Sequence, residues 1–165
     1  MATHYAKADR KHINKYKMAH CIGVAEYMRE NAWRFNLNGE EMYVLGLLHD
    51  IGYLYGRTEH EKSGFKLLMN MGLKAPYLTA INLHGKNPYE VEKEVGFSLR
   101  EECPALVLLY EADMSVNAQG YKVGFGGRIA DIEQRYGRNS KAYETAMATI
   151  NYVIEQQTKE TKTEQ

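Results

Sequence analysis

The sequence predicts an all-α protein, a bundle of about six to eight helices. Three observations support this prediction. Apolar residues recur at spacings of three and four along much of the chain, which is the period of a helix with one buried face. Only three prolines occur, and helix-forming residues are abundant. No segment has a convincing strand pattern, and no internal repeat is visible.

Length and composition are those of one ordinary globular domain. The chain has 165 residues, of which 44% are hydrophobic and 25% charged, so it can bury a core. We expect residues 1–157 to form a single helical domain and residues 158–165 to form a disordered polar tail. The formal net charge is zero. General binding to nucleic acid or to an anionic membrane is therefore not expected.

No targeting segment is recognisable in the sequence. The longest apolar run, residues 105–110, is far shorter than the ~20 residues that span a bilayer, and the N-terminus lacks the apolar core of a signal peptide. The two cysteines, Cys21 and Cys103, cannot form a disulfide framework. These features predict a cytoplasmic protein with reduced thiols. Cys21, next to His20, could be a nucleophile or a ligand, but a small buried thiol on an apolar helix face is the favoured interpretation.

Two helices are predicted in the first third of the chain. The first runs from about Asp9 to about Phe35. Its apolar stripe consists of Met18, Cys21, Ile22, Ala25, Met28 and Ala32. Asn38, three residues before Glu41, is typical of a helix start and opens the second helix. This helix is apolar almost all round and ends at the His49-Asp50 doublet, so we expect it to be central.

Two shorter helices are predicted next. The segment 58–61 (Thr-Glu-His-Glu) offers a capping box for a helix that stops at Gly72, which places His60 in its first turn. A fourth helix, from about Pro76 to His84, begins with a proline where proline is tolerated.

An irregular segment is predicted to separate these helices from the next. Residues 86–97 are polar and contain the breakers Pro88 and Gly96. The following helix is opened either by Ser98 as a cap or by Pro104. It carries Asp113 in an otherwise largely buried row of side chains.

The C-terminal third is predicted to contain a glycine-rich loop and two helices. The loop, residues 119–127, does not match a phosphate-binding pattern, because no strand precedes it and its glycine spacing differs. A short helix from Arg128 to Tyr136 ends at Gly137. Ser140 then caps a last helix that runs to about Gln157.

Four histidines lie in the predicted helices or at their ends, near apolar residues. These are His20, His49, His60 and His84. A single histidine there would be explained as a hydrogen-bonded structural residue, because burying an unpaired polar group is costly. Four of them, together with the inward-facing Asp50 and Asp113, indicate a shared metal site instead. Imidazole and carboxylate ligands together suit iron, manganese, zinc or cobalt.

The order and local contexts of these residues resemble the HD-domain metal-dependent phosphohydrolases. His20 lies in an early helix, the His49-Asp50 doublet lies within Leu-Leu-His-Asp-Ile-Gly, and Asp113 lies within Tyr-Glu-Ala-Asp-Met. The resemblance covers roughly residues 16–117. It implies an HD-type helical bundle in which these four residues are the metal ligands.

His60 and His84 resemble the additional histidines of the dinuclear HD subgroup, in which the aspartate of the doublet bridges two metals. This resemblance implies two divalent transition-metal ions per chain, with iron as the first choice and manganese, cobalt or zinc as alternatives. A single-metal site is the alternative interpretation. His60 would then be an exposed helix-start residue and His84 a helix C-cap.

The resemblance implies a phosphohydrolase that cleaves a phosphoester or phosphoanhydride of a nucleotide or small phosphorylated metabolite through a metal-bound hydroxide. The dinuclear diadenosine-tetraphosphate hydrolases are the most similar subgroup. Asp50 is the expected catalytic residue. The first candidates for contacting the substrate, chosen because each closely follows a proposed ligand, are Arg57, Lys62 and Lys86. Arg128 and Arg135 are further candidates.

One position departs from the family pattern, and two other functions stay open. Many HD proteins have lysine directly after His-Asp-x-Gly, where this chain has Tyr53. Phosphate recognition by lysine-bearing members, including the cyclic dinucleotide phosphodiesterases, therefore does not carry over. The same ligands are used by HD-type mixed-valent di-iron oxygenases. A catalytically silent, metal-stabilised binding module is the third possibility, and the oligomeric state is open.

Overall fold

The computed structural model describes residues 2–54 and 59–163, with side chains described for residues 17–53 and 59–162. Within these ranges the protein is all-α, as predicted, with nine α-helices, two short 3-10 helices and no strand. A single antiparallel bridge joins Val116 to Lys122. None of the described helices is both long enough and apolar enough to cross a membrane.

The helices follow one another with short connections. In order they are α1 (Ala2–Asn31), α2 (Gly39–Leu48), α3 (His60–Asn70), α4 (Ala75–Leu83), α5 (Pro88–Val95), α6 (Leu99–Glu102), α7 (Pro104–Asp113), α8 (Gly124–Tyr136) and α9 (Lys141–Thr163). The 3-10 helices, Ala32–Phe35 and Ile51–Leu54, directly follow α1 and the His49-Asp50 doublet.

Helix α7 forms the centre of the bundle. Its residues 105–112 are all buried, and it packs against α1, α4, α6 and α9. The expectation that α2 would be central was wrong, because Val44 on its outer face is 47% exposed and only its Met42, Leu45 and Gly46 are buried. A helix that is apolar all round does not have to be buried all round.

Four of the six residues of the stripe predicted on α1 are buried in the structure: Cys21, Ala25, Met28 and Ala32. Met18 and Ile22 are exposed, and Val24 is fully buried beside Ala25 and Met28. The start signals were better predicted. Asn38 accepts a hydrogen bond from the backbone N–H of Glu41 (3.0 Å), and Ser140 caps α9 by accepting from the N–H of Tyr143 (3.1 Å).

The segment predicted to be irregular contains helix α5. Asn87 caps it by accepting from the N–H of Tyr89, Pro88 occupies its first turn, and Gly96 ends it in the left-handed conformation (φ 77°). The two residues taken as breakers are therefore the start and stop signals of one short helix. Helix α5 docks on α9 through Tyr152, whose hydroxyl donates to Glu92.

Helix boundaries near the C-terminus also differ from prediction. Helix α8 begins at Gly124, inside the predicted loop, and α9 continues through the predicted tail to Thr163. The extension of α9 has a physical cause, because Glu160 forms ion pairs with Arg34 and Arg100 of the bundle.

Candidate metal centre

The six predicted site residues come together at one place, five of them from helix ends. His20 is the exception, lying within α1. His49 caps the C-terminus of α2, Asp50 follows it, His60 opens α3, His84 caps α4 and Asp113 ends α7. Side chains at helix ends can converge from several directions because the backbones diverge behind them.

Two glycines allow the close approach that this convergence needs. A Cβ on Gly46 would lie 2.5 Å from the Cα of Ala25, so α2 can contact α1 only with glycine there. A Cβ on Gly52 would lie 1.6 Å from the carbonyl oxygen of His60. Gly46 therefore sets the distance between the helices of His20 and His49, and Gly52 sets the position of His60 beside the doublet.

One group of potential metal-ligand atoms comes from α1, α2 and α7. Ligand atoms of His20, His49 and Asp50 lie within 4.8 Å of one another. Asp113 adjoins this group, since its Oδ1 lies 2.9 Å from Nε2 of His20. These residues could hold one metal ion.

A second group comes from α3 and α4 and shares Asp50 with the first. Ligand atoms of Asp50, His60 and His84 lie within 4.8 Å of one another. Nε2 of His60 and Nε2 of His84 lie 3.4 and 3.3 Å from the same oxygen, Oδ1 of Asp50. The other oxygen, Oδ2, faces Nε2 of His49 at 3.5 Å. The carboxylate of Asp50 thus presents one oxygen to each group.

Backbone carbonyls fix the orientation of three of these imidazoles. Nδ1 of His20 donates to the backbone oxygen of Asn117 at 3.0 Å. In the same way, Nδ1 of His49 donates to the backbone oxygen of Gly46 and Nδ1 of His84 to that of Ile81, both at 2.6 Å. A carbonyl can only accept, so Nδ1 carries the proton in each ring. Nε2, which faces the centre, is then the nitrogen that can offer a lone pair to a metal.

The protonation states of His49 and the two carboxyl groups also suit a metal site. Burial lowers the pKa of His49 to about 4, against the opposing charges of Asp50 and Asp113. Burial alone would raise the pKa values of Asp50 and Asp113, but the surrounding histidines, with Lys17 and Arg128, hold both below their usual range. At neutral pH His49 is therefore neutral and both carboxylates are charged.

Nε2 of His49 provides a test of whether the residues fit a metal. It is buried and has no hydrogen-bond partner among the described residues. An unpaired buried acceptor is costly in a folded protein, and a metal ion satisfies it. The orphaned nitrogen faces the carboxylate of Asp50, so the residues present fit a bound cation.

Lys17 and Tyr53 cover the centre from one side. Nζ of Lys17 lies 3.1 Å from Oδ2 of Asp50 and 3.8 Å from the centre of the Tyr53 ring. The Tyr53 ring in turn stacks on His60 with centroids 3.9 Å apart. The sequence interpretation missed Lys17, although its position one helical turn before His20 was a usable signal.

A cleft of about 290 Å³ opens from this centre towards α8 and α9. Its polar lining comes from the metal-site side (Lys17, Asp50, Tyr53, His60, Glu61, His84 and Asp113) and from the α8–α9 side (Arg128, Arg135, Tyr136, Lys141, Thr145 and Thr149).

Of the five cations predicted to contact the substrate, the structure describes the side chains of four, and two of these line the cleft. Arg57 lies outside the described residues. Lys62 is exposed and pairs with Glu59 at 2.6 Å, Lys86 is exposed, and neither lines the cleft. The further candidates Arg128 and Arg135 do line it.

Arg128 connects the metal-site side of the cleft to α8. Its Nε donates to the backbone oxygen of Asp113 at 3.0 Å, and its Nη2 lies 3.4 Å from Oδ1 of the same residue. Its Nη1 pairs with Asp131 at 3.0 Å. The guanidinium therefore orients the carboxylate of Asp113.

The chain belongs to the HD domain family, whose members are generally metal-dependent phosphohydrolases. The sequence model of this family, described as HD domain, matches residues 18–119, which is more than half of the chain. The match contains every residue of the two ligand groups and ends before α8. No curated protein and no solved structure gives a significant match.

Proposed function

We propose that this protein is a metal-dependent phosphohydrolase that holds two cations per chain and acts on a nucleotide or another small phosphorylated metabolite. The observation that carries the proposal is the carboxylate of Asp50, which presents one oxygen to His60 and His84 and the other to His49. A carboxylate in this position is suited to bridge two metal ions.

The proposed ligands divide into two sets that share Asp50. His20, His49 and Asp113 complete the first set, and His60 and His84 complete the second. Imidazole and carboxylate donors suit iron, manganese, cobalt or zinc, with iron as the first choice. When bound, these cations would lower the pKa of water and neutralise phosphoryl oxygens.

The chain's own residues supply the remaining functions. Asp50 holds the centre together as the proposed catalytic carboxylate. Lys17 and Arg128 bring positive charge to the cleft beside Asp50 and Asp113, where it would attract a phosphoryl group. Tyr53 packs over His60 and limits the access of water to that side.

The size and lining of the cleft indicate the kind of substrate. A volume of about 290 Å³ suits a small metabolite and not a polymer. Tyr136, which is 57% exposed, lines the cleft and can stack on a base, so a nucleotide is one substrate that the lining accommodates. We place this reaction in the cytoplasm.

The test is metal-dependent hydrolysis by protein purified without added metal. We expect hydrolysis of p-nitrophenyl phosphate or of a member of a nucleotide panel, and loss of at least about a hundredfold in Asp50→Asn and His49→Ala. Arg138→Ala is the control, because Arg138 is exposed, pairs with Glu133 and lies outside the cleft. Activity that survives in Asp50→Asn would contradict the proposal, and O₂ consumption without phosphate release would indicate an oxygenase instead.

A further inference from the structure

We propose that the α8–α9 side of the cleft is an anion subsite that binds a second negatively charged group of the substrate. The substrate would then be a phosphate ester or anhydride with at least two anionic groups. This inference deepens the proposed function and rests on it for the reaction. The binding step is independent of the reaction and can be tested separately.

Apart from Lys17, which pairs with Asp50 on the metal-site side, the charged side chains that line the cleft are divided by sign between its two sides. The lining carboxylates all lie within the segment matched by the family: Asp50, Glu61 and Asp113. The α8–α9 side, which lies beyond that segment, contributes three cations and no lining carboxylate: Arg128, Arg135 and Lys141. One side thus suits metal cations and the other suits anions.

The cations belong to packed helices. Arg128 and Arg135 are seven residues apart, two turns along one face of α8, and Lys141 is the first residue of α9. A small apolar cluster joins the two helices to the end of α7 and contains Met114, Ile132, Ala146 and Ile150. The packing of the helices therefore fixes the backbone positions from which these side chains extend towards the cleft.

Arg128 is already engaged, whereas Arg135 and Lys141 are available to a ligand. The Arg128 side chain is 12% exposed and is fixed by Asp113 and Asp131. The Arg135 and Lys141 side chains are 37% and 78% exposed, and their ion pairs, with Asp131 and Glu144, are long at 3.6 and 3.7 Å. Exposed ion pairs contribute little, so an anion can replace them at low cost.

The positions of these cations indicate that the substrate has a second anionic group. A phosphate bound beside Asp50 and Asp113 would be neutralised there by the bound cations, Lys17 and Arg128. A substrate with one phosphate and an apolar leaving group would leave Arg135 and Lys141 unused. A second phosphate or a carboxylate on the substrate gives them a partner.

The experiment compares the binding of two inorganic probes, phosphate and pyrophosphate, by calorimetry on protein that retains its bound metal. The test variant is the double substitution Arg135→Gln/Lys141→Gln. The control is Arg138→Gln, because Arg138 is also an exposed cation between these helices, pairs with Glu133 and does not line the cleft. Metal chelation by pyrophosphate affects both variants alike, so their difference reports the subsite.

Wild type and Arg138→Gln should bind pyrophosphate at least about tenfold more tightly than phosphate, and the double variant should lose most of that preference. An unchanged preference in a folded double variant would overturn the subsite. The two proposals can also fail separately. If the wild type hydrolyses no phosphate ester but the double variant still loses the preference for pyrophosphate over phosphate, the proposed function is wrong and the subsite is supported. An active wild type with equal preference in all three proteins overturns the subsite alone.

Discussion

Nε2 of His20 lies 2.9 Å from Oδ1 of Asp113, although 93 residues separate them in the chain. This contact joins the first helix of the bundle to its central helix. It places the family's distant aspartate beside the doublet on α2, where the two proposed ligand sets share Asp50.

Removing ligands from either set should change the metal content in steps. We expect His20→Ala and His84→Ala each to retain about one ion per chain, and Asp50→Asn to retain none, because only Asp50 belongs to both sets. Elemental analysis of protein purified without added metal measures this. Equal metal content in Asp50→Asn and wild type would exclude Asp50 as a shared ligand.

Substituting Gly52 should damage the second set without unfolding the protein. The Cβ in Gly52→Ala would lie 1.6 Å from the carbonyl oxygen of His60, so the start of α3 must move and His60 must leave Asp50. We expect loss of about one ion per chain with unchanged helical circular dichroism. Gly126→Ala is the control, because nothing lies within 4 Å of its added Cβ. Full metal content in Gly52→Ala would contradict this account of His60.

The buried ion pair between Arg34 and Glu111 should stabilise the packing of the 3-10 helix Ala32–Phe35 against α7. Nη1 of Arg34 lies 2.5 Å from Glu111 Oε1, and the hydroxyl of Tyr27 donates to the same oxygen. In Glu111→Ala the guanidinium keeps its contacts with Asn31, Phe35 and Glu160 but loses its buried partner, so we expect the free energy of unfolding to fall by about 3 kcal/mol. Denaturant unfolding tests this, and the exposed Arg138→Ala should be indistinguishable from wild type. A similar loss in both variants would mean that burial of the pair does not matter.

Alkaline unfolding should be coupled to buried tyrosines. Burial and the carboxylate of Glu111 raise the pKa of Tyr27 to about 12, and burial also raises the pKa values of Tyr110 and Tyr152. The folded state then holds these protons more tightly than the unfolded state, whose tyrosines have pKa values of about 10. Their stabilising effect is complete below that pH and is lost as the pH rises through the folded values.

Tyrosinate absorbance and circular dichroism, followed together against pH, test this coupling. We expect part of the rise in tyrosinate absorbance to occur only as the helical circular dichroism is lost, because the buried tyrosines ionise on unfolding. Tyr27→Phe should reduce the part of the absorbance change that accompanies unfolding. Complete ionisation of all 13 tyrosines near pH 10 with the helices intact would contradict the assignment.

The sequence was sufficient to predict the all-α class and the convergence of the six histidine and aspartate residues. Those residues sit in distinctive local contexts, five at helix ends and His20 within α1, so order and spacing identify them. Lys17 could not be ranked in the same way, because its contacts with Asp50 and Tyr53 depend on how α1 packs against the doublet. The choice of which surface cations contact the substrate also depends on helix packing that the sequence does not reveal. Lys62 and Lys86 are near ligands in sequence, but Arg128 and Arg135 reach the cleft through the packing of α8 and α9.

Helix α5 shows a different limit of sequence reasoning. Pro88 and Gly96 are breakers within a helix but suitable residues at its start and end, and only the contact of Tyr152 with Glu92 shows which role they have here. Tertiary packing decided between two local interpretations that the sequence allowed equally.

The most direct test of the central claim is a crystal structure of the metal-retaining protein with anomalous scattering measured at the edge of the bound metal. We predict two anomalous peaks per chain, one near each oxygen of Asp50, with His49 on one side and His60 and His84 on the other. A single peak, or peaks that do not contact Asp50, would contradict the bridging role from which the proposed function follows.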